Sequence, residues 1–180
     1  MLVGGRSSRM GRDKARLPFR GSTLAQWVAA QVARAAGCAF LVGDPLRYGD
    51  LGYPVIADNW PGEGPLSGII TALRHRAAPW LLVVACDMPG LTAAFLGELL
   101  AAAKANGSAT IPTSPGGRME PLCAVWHGDA LPALEKAFAA GTRKIADAVM
   151  GIRPALYPVT EPLLFQNINT PEDLAAHAAK

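Results

Sequence analysis

Trp80-Leu81-Leu82-Val83-Val84-Ala85-Cys86-Asp87-Met88-Pro89 decides the fold. Residues 80–85 are apolar at every position, with no polar alternation. A strand with one wet face alternates, whereas a strand covered by helices on both faces does not. The run is far shorter than the roughly 20 residues that span a bilayer. It ends at a carboxylate, Asp87. In open α/β sheets, ligands sit beyond the carboxyl ends of the strands, so Asp87 falls at the ligand edge. A hard oxygen there suits Mg²⁺, which prefers one or two carboxylates plus phosphates and water. The ordinary alternative is a turn Asp before Pro89. Cys86 reads as a small packed apolar residue rather than a nucleophile.

Outward from this strand, short apolar runs alternate with helical patterns. Leu2-Val3 ends a strand, and a glycine-rich loop follows. Residues 23–36 read as a helix: Leu24, Trp27, Val28 and Val32 lie at helical spacing, Thr23 with Gln26 resembles a capping box, and Gly37 stops it. Residues 39–42 and 55–57 are short strands, the second ending at Asp58. Residues 66–76 form a helix after Pro65, and Thr92 caps another that runs to Asn106. Strands alternating with helices imply a parallel sheet with right-handed crossovers. The pattern then loosens. Residues 109–112 and 122–127 read as strands, and 129–140 and 143–150 as helices. Thr170-Pro171-Glu172-Asp173 starts a last helix, with Thr as cap and Pro in first position. The whole is an α/β protein of one domain, 1–180, in three layers. Its twisted sheet is mostly parallel, with a small antiparallel part in the C-terminal half.

Composition narrows the classes. The chain has 180 residues, 51% hydrophobic and 17% charged, which fits a folded core and not a disordered chain. No basic stretch followed by an apolar one marks a signal peptide. Cys38, Cys86 and Cys123 are too few and too scattered for a disulfide framework or a zinc site, and a reducing cytoplasm fits them. A net charge of +3 without long basic runs does not point to nucleic acid. The basic residues are dense only locally, with Arg6, Arg9, Arg12, Lys14, Arg16 and Arg20 against Asp13. That excess suits a polyanionic small ligand.

The dense stretch is Gly4-Gly5-Arg6-Ser7-Ser8-Arg9-Met10-Gly11-Arg12-Asp13-Lys14. Paired glycines let backbone N–H groups approach an anion. Ser7 and Ser8 add hydroxyls, Arg9 a fork and Lys14 a point charge. It matches neither the Walker loop nor the dinucleotide fingerprint; the plain alternative is a surface turn with scattered basic residues. Pro61-Gly62-Glu63-Gly64-Pro65-Leu66-Ser67-Gly68 leads into a helix start and can shape a pocket for a flat base, or be an ordinary loop. Asn167 and Asn169 flank Ile168 and share a face if the segment is extended; capping and turn-making are the competing roles. Trp60 and Trp126 read as packing residues, and His75, His127 and His177 as surface or core residues.

Taken in order, Leu2 to Gly11 with Asp13-Lys14, Pro61 to Gly68, Cys86-Asp87-Met88-Pro89, Glu120-Pro121-Leu122 and Asn167-Ile168-Asn169-Thr170-Pro171-Glu172-Asp173-Leu174 resemble the motifs of the MobA-like nucleotidyltransferases. The resemblance runs from Leu2 to about Ala178. It implies the Rossmann-like nucleotidyltransferase fold, and GMP transfer from GTP to the terminal phosphate of molybdopterin, with or without molybdenum. The Gly4-Gly5 pair and the Cys86-Asp87-Met88-Pro89 block resemble the guanylyl branch. A cytidylyltransferase for the same pterin, another small-molecule NTP transferase and a non-catalytic nucleotide-binding accessory protein are the alternatives.

The resemblance also implies roles. Leu2, Val3 and Gly4 contact guanine or ribose through their backbone, with Gly5 and Ser7 beside them. Arg9 and Lys14 meet the triphosphate. Asp58 helps recognise the nucleotide, and Gly64, Pro65, Leu66 and Gly68 line its pocket. Asp87 binds GTP and the implied cofactor Mg²⁺; Asn167 and Asn169 lie near the pterin or metal. Transient contacts with other molybdenum-cofactor proteins are implied, with no nucleic acid and no membrane. The family often has an Asn contact after its second strand, where this chain has Gly43-Asp44. It also has Val3 where Ala is usual. Only residues 1–3 precede the loop, whereas a central strand has about five or six residues, so the strand is short or the natural chain starts upstream. A chain extended upstream is expected to melt higher and bind GTP more tightly; equal melting temperature and affinity would count against this.

Overall fold

The computed structural model describes residues 1–4 and 13–178. After a single 3₁₀ turn at Lys14–Arg16, a small hairpin pairs β1 (Pro18–Phe19) with β2 (Ser22–Thr23). The hairpin does not show as apolar periodicity, because each strand has two residues. Helix α1 (Leu24–Ala36) has the expected capping box between Thr23 and Gln26, and Gly37 ends it in the left-handed region. Strand β3 (Leu41–Val42) is followed by α2 (Pro45–Tyr48), then β4 (Val55–Ile56). The one-turn α2 was not anticipated, although Asp44-Pro45 is a cap followed by a first-position proline. Helix α3 (Pro65–His75), β5 (Trp80–Val84) and α4 (Ala93–Asn106) lie within a residue or so of the expected bounds.

In the C-terminal half, β6 (Thr110–Thr113) and β7 (Cys123–His127) precede α5 (Leu131–Ala139), α6 (Ile145–Val149), β8 (Ala155–Pro158) and α7 (Pro171–Ala178). Two helices are shorter than read. Gly128–Ala130 forms a 3₁₀ turn before α5, whose proline sits in the first helical positions. The Thr142 N–H closes α5 on the Ala137 carbonyl, so the chain restarts at Lys144, the cap of α6. Strand β8 was also missed; its burial alternates along the edge of the sheet.

Leu2 knits the sheet together. It bridges Val42 and Ala85, in parallel with each. The strand order is therefore β4-β3, the N-terminal segment, then β5-β7-β6-β8. β3 and β4 are parallel, as are β6 and β8; β7 runs antiparallel to its neighbours. The sheet is thus mostly parallel, with its antiparallel part in the C-terminal half.

The continuous apolar run of β5 is explained by the two layers that cover it. Leu82 and Val84 join Val28 and Ala29 of α1 and Leu96 and Leu99 of α4. Val83 faces the other way, with Ile69, Ile70 and Leu73 of α3 and Leu134 of α5. Each such side chain contributes about 1.5–3 kcal/mol of burial free energy. One close approach sits beside the site. A Cβ on Gly43 would lie 2.6 Å from Val3 Cγ2, 2.8 Å from the Val3 oxygen and 3.1 Å from Tyr48 Cδ2. The departure from the family's Asn at this position is therefore matched by crowding around Val3. Gly43→Ala is expected to cost about 1–3 kcal/mol in urea unfolding through overpacking; a cost below about 0.5 kcal/mol would mean the strand end shifts freely.

Candidate active site

Three elements converge at the carboxyl end of β5. The first is the N-terminal segment, whose Leu2 N–H donates to the Val84 carbonyl at 2.8 Å and whose Leu2 oxygen accepts from Cys86 N–H at 3.2 Å. The second is the approach to β7, where the Leu122 carbonyl accepts from Ala85 N–H at 2.8 Å. The third is the C-terminal segment, where Ile168 N–H donates to the Asp87 carbonyl at 2.9 Å. Ile168 is fully buried with Leu17, Phe19 and Leu24. This apolar anchor fixes the asparagines on either side of it.

The result is a cluster of Lys14, Asp87 and Asn169. Lys14 Nζ donates to Asn169 Oδ1 at 2.8 Å and lies 3.6 Å from Asp87 Oδ2. Asn169 is steadied in turn: Asp173 Oδ2 accepts from the Asn169 and Thr170 amides at 2.9 Å each, and Thr170 Oγ1 accepts from Asp173 N–H at 3.2 Å. Those amides hold the Asp173 carboxyl below the usual carboxylate range. Its cap is therefore intact at neutral pH and is lost only as pH falls through that lowered value. Asn167 Oδ1 is buried with no hydrogen-bond partner among the described residues. Burial pushes the Asp87 carboxyl upward, and Lys14 opposes the shift. Burial drives the Cys86 thiol up to about 12, so it is neither a nucleophile nor a base near neutral pH.

The other expected site residues have other surroundings. Asp58 Oδ1 accepts from Trp60 N–H at 3.2 Å and Thr71 Oγ1 at 3.0 Å, while Oδ2 accepts from Ser67 Oγ at 2.9 Å. It ties the loop to α3. Gly64 stands at the cap of α3 without a side-chain cap bond, and Pro65 opens the helix. Leu66 is fully buried in the core. At Gly68, Leu2 Cδ2 would be 3.1 Å from a Cβ, so this glycine lets α3 lie close to the sheet. Leu2 has its N–H and its oxygen bonded inside the sheet. Its backbone is thereby less available to a ligand than expected; Val3 oxygen and Gly4 N–H have no backbone partner among the described residues. Gly5, Ser7 and Arg9 lie outside the described residues. Trp60 packs on Phe138, with ring centroids 4.9 Å apart, as expected for a packing residue.

Tyr48 and Asp13 are the residues that sequence reasoning passed over. Tyr48 is 1% exposed. Its hydroxyl donates to Asp13 Oδ2 at 2.8 Å, and a Cβ on Gly4 would sit 3.5 Å from that hydroxyl oxygen. Gly4 itself has φ 99°, a conformation that favours glycine. Arg47 donates to the same Asp13 oxygen at 2.7 Å, and Asp13 Oδ1 accepts from Ala15 N–H at 3.1 Å. Tyr48 thus bonds Asp13 and stands 3.5 Å from where a side chain at Gly4 would begin. Burial first and Asp13 second raise its phenol, so it stays a donor. Only the Asp44-Pro45 cap hinted that a structured turn lay here.

A divalent cation fits this site on chemical grounds. Asp87 offers a hard, mostly covered carboxylate, and Lys14 an adjacent cation for anionic oxygens. Among the described residues no group of three or more His, Cys, Asp or Glu forms an all-protein cage.

Comparison with known proteins identifies the family. The model of the MobA-like NTP transferase domain matches residues 1–153. A probable molybdenum cofactor guanylyltransferase of Deinococcus radiodurans is 36% identical over 97% of this chain and 90% of its own length. The molybdenum cofactor guanylyltransferase of Rhodobacter capsulatus is 37% identical over 97% and 91%. The crystal structure of molybdopterin-guanine dinucleotide biosynthesis protein A from Archaeoglobus fulgidus superimposes with a TM-score of 0.84 at 31% identity, covering 99% of this chain and 95% of that one. A 2-C-methyl-D-erythritol 4-phosphate cytidylyltransferase from Thermus thermophilus shares the fold, with a TM-score of 0.69 at 21% identity.

Tyr48→Phe removes one hydroxyl and keeps the ring. It is expected to cost about 1–2 kcal/mol in urea unfolding, since the donor bonds a charged acceptor. Arg47→Ala removes an exposed partner of the same oxygen and should cost under about 1 kcal/mol. The reverse order would show that the hydroxyl is not what holds Asp13.

Proposed function

The chain belongs to the MobA-like NTP transferase family, and from that membership we infer that it is a molybdenum cofactor guanylyltransferase, joining GMP from GTP to the terminal phosphate of molybdopterin and releasing pyrophosphate. The observation that carries this reading is the meeting of Lys14, Asp87 and Asn169 at the carboxyl end of β5. It occurs in a chain whose relatives with that name match it over 96–97% of its length.

In the reaction, an oxygen of the molybdopterin phosphate forms a bond to the α-phosphorus of GTP. The bond from that phosphorus to the bridging oxygen of the β-phosphate breaks, and pyrophosphate leaves with the electron pair. The attacking oxygen is already anionic near neutral pH, so no strong base is required, and the raised Cys86 thiol offers none. What remains is positioning and charge neutralisation. Mg²⁺, held by Asp87, would supply Lewis acidity at the α-phosphoryl group. Lys14 neutralises triphosphate oxygens, and Arg9 adds a second cation from the glycine-rich loop. Asn167 and Asn169 would lie near the pterin side, with Asn169 steadied by Asp173. The backbone of Val3 and Gly4 addresses the nucleoside. No helix among the described residues is long and apolar enough to cross a membrane, and a cytoplasmic setting suits the free thiols of Cys38, Cys86 and Cys123.

Asp87→Ala is expected to lower GMP transfer about 10²–10³-fold, the scale of losing one electrostatic stabiliser, while the unfolding transition persists. Pyrophosphate release with molybdopterin should be faster with GTP than with CTP. Near-full turnover by the variant would remove the metal role of Asp87, and faster release with CTP would move the chain to the cytidylyl activity.

A further inference from the structure

Seven ion pairs connect side chains among the described residues, and one has both partners mostly covered. Lys14 and Asp87 are 20% and 21% exposed, whereas in each other pair at least one partner is more than a third exposed. Lys14 is also fixed from a second side. Asn169 Oδ1 accepts from Nζ at 2.8 Å, and Asn169 is held by the Asp173 carboxylate. The ammonium is thereby seated beside the carboxylate that is the best candidate to carry a divalent cation. Burial disfavours the Asp87 anion, and Lys14 does most to offset this, with a backbone hydrogen bond beside it.

We propose that Lys14 is the built-in counter-ion of Asp87 in the free protein. It holds off a divalent cation until a nucleoside triphosphate draws the ammonium away. The proposal rests on the reading of Asp87 as the metal carboxylate and Lys14 as a triphosphate contact. A dication approaching Asp87 with the ammonium 3.6 Å away meets like charge at short range and gains only a carboxylate already partnered. Once triphosphate oxygens accept from Lys14, Asp87 is left as a buried anion without a cation. That state is unfavourable until a dication arrives. Triphosphate and metal therefore favour each other's binding, and by linkage the factor is the same in either direction. The Asn169 amide oxygen is released in the same exchange and becomes available to the second substrate.

Nucleotide-free Mn²⁺ binding, followed by the loss of the free-ion electron paramagnetic resonance signal, tests this without any turnover. Lys14→Met is expected to bind Mn²⁺ about tenfold more tightly than the parent, the scale of removing a close like charge. Lys14→Arg should stay within about twofold of the parent because it keeps the charge. Lys14→Gln, which retains an amide for Asn169 Oδ1, repeats the measurement if the methionine variant does not fold by circular dichroism. Folded Lys14→Met or Lys14→Gln proteins that bind Mn²⁺ no more tightly than the parent overturn the proposal. The double variant Lys14→Met with Asp87→Ala should lose the gain. Retention of tight Mn²⁺ binding by the double variant would place the metal away from Asp87, and would overturn the underlying site reading as well. A gain lost on Asp87→Ala supports both.

Discussion

Met1 to Val3 are the hinge on which the sheet and the site depend. Leu2 hydrogen-bonds to β5 through Val84 and Cys86, while Met1 and Val3 bond to Val42 of β3. Without these bonds the β3-β4 pair and the four-stranded β5-β7-β6-β8 sheet would be joined only through helices. They also set a distance that chemistry needs. Because Leu2 pairs with Ala85, the chain leaves the sheet at Gly4 beside the point where β5 leaves it at Cys86-Asp87. Gly4, where the glycine-rich segment begins, and the Asp87 carboxylate are thus delivered side by side by register alone. Register in a sheet covered on both faces is strongly specified, since a one-residue slip would turn Leu82 and Val84 away from their core.

Much of this was legible where one local signal suffices. The uninterrupted apolar run of β5, the Thr23–Gln26 capping box and the Thr92 cap each encode their structure within a few residues, and each appears as read. The same holds for Asp87 at the end of β5. What was not legible depends on partners distant in sequence. The two-residue strands of the β1-β2 hairpin carry no period, and β8 is a strand only because β6 lies beside it. Tyr48 looks like any aromatic residue until the fold brings Gly4 and Asp13 to its hydroxyl. The partners of Asp58 were hidden for the same reason, since Ser67 and Thr71 come within reach only after α3 forms.

Gly43 illustrates how such a departure arises. A side chain after the second strand could contact a base only if it has room to leave the sheet. Here Val3 Cγ2 and Tyr48 Cδ2 fill that room. Tyr48 cannot withdraw without losing Asp13, and Asp13 cannot move without loosening the turn that carries Lys14. The glycine is therefore not a vacant position. It is the space that allows a bulkier Val3 and a buried phenol to coexist.

The site is assembled from opposite ends of the chain. Lys14 and Asn169 are 155 residues apart in sequence, and Ile168 reaches both the Asp87 carbonyl and a core built from Leu17, Phe19 and Leu24. Closing so long a loop has an entropic cost that grows only slowly with length, but it is met only when the intervening layers are already packed. The family-wide match ends at residue 153, yet the segment beyond it supplies the anchor and the amide that seat Lys14. A chain with its C-terminal segment undocked would keep Asp87 at the end of β5 and lose the neutral acceptor that orients the ammonium. The charge arrangement of the site is thus a property of the completed fold.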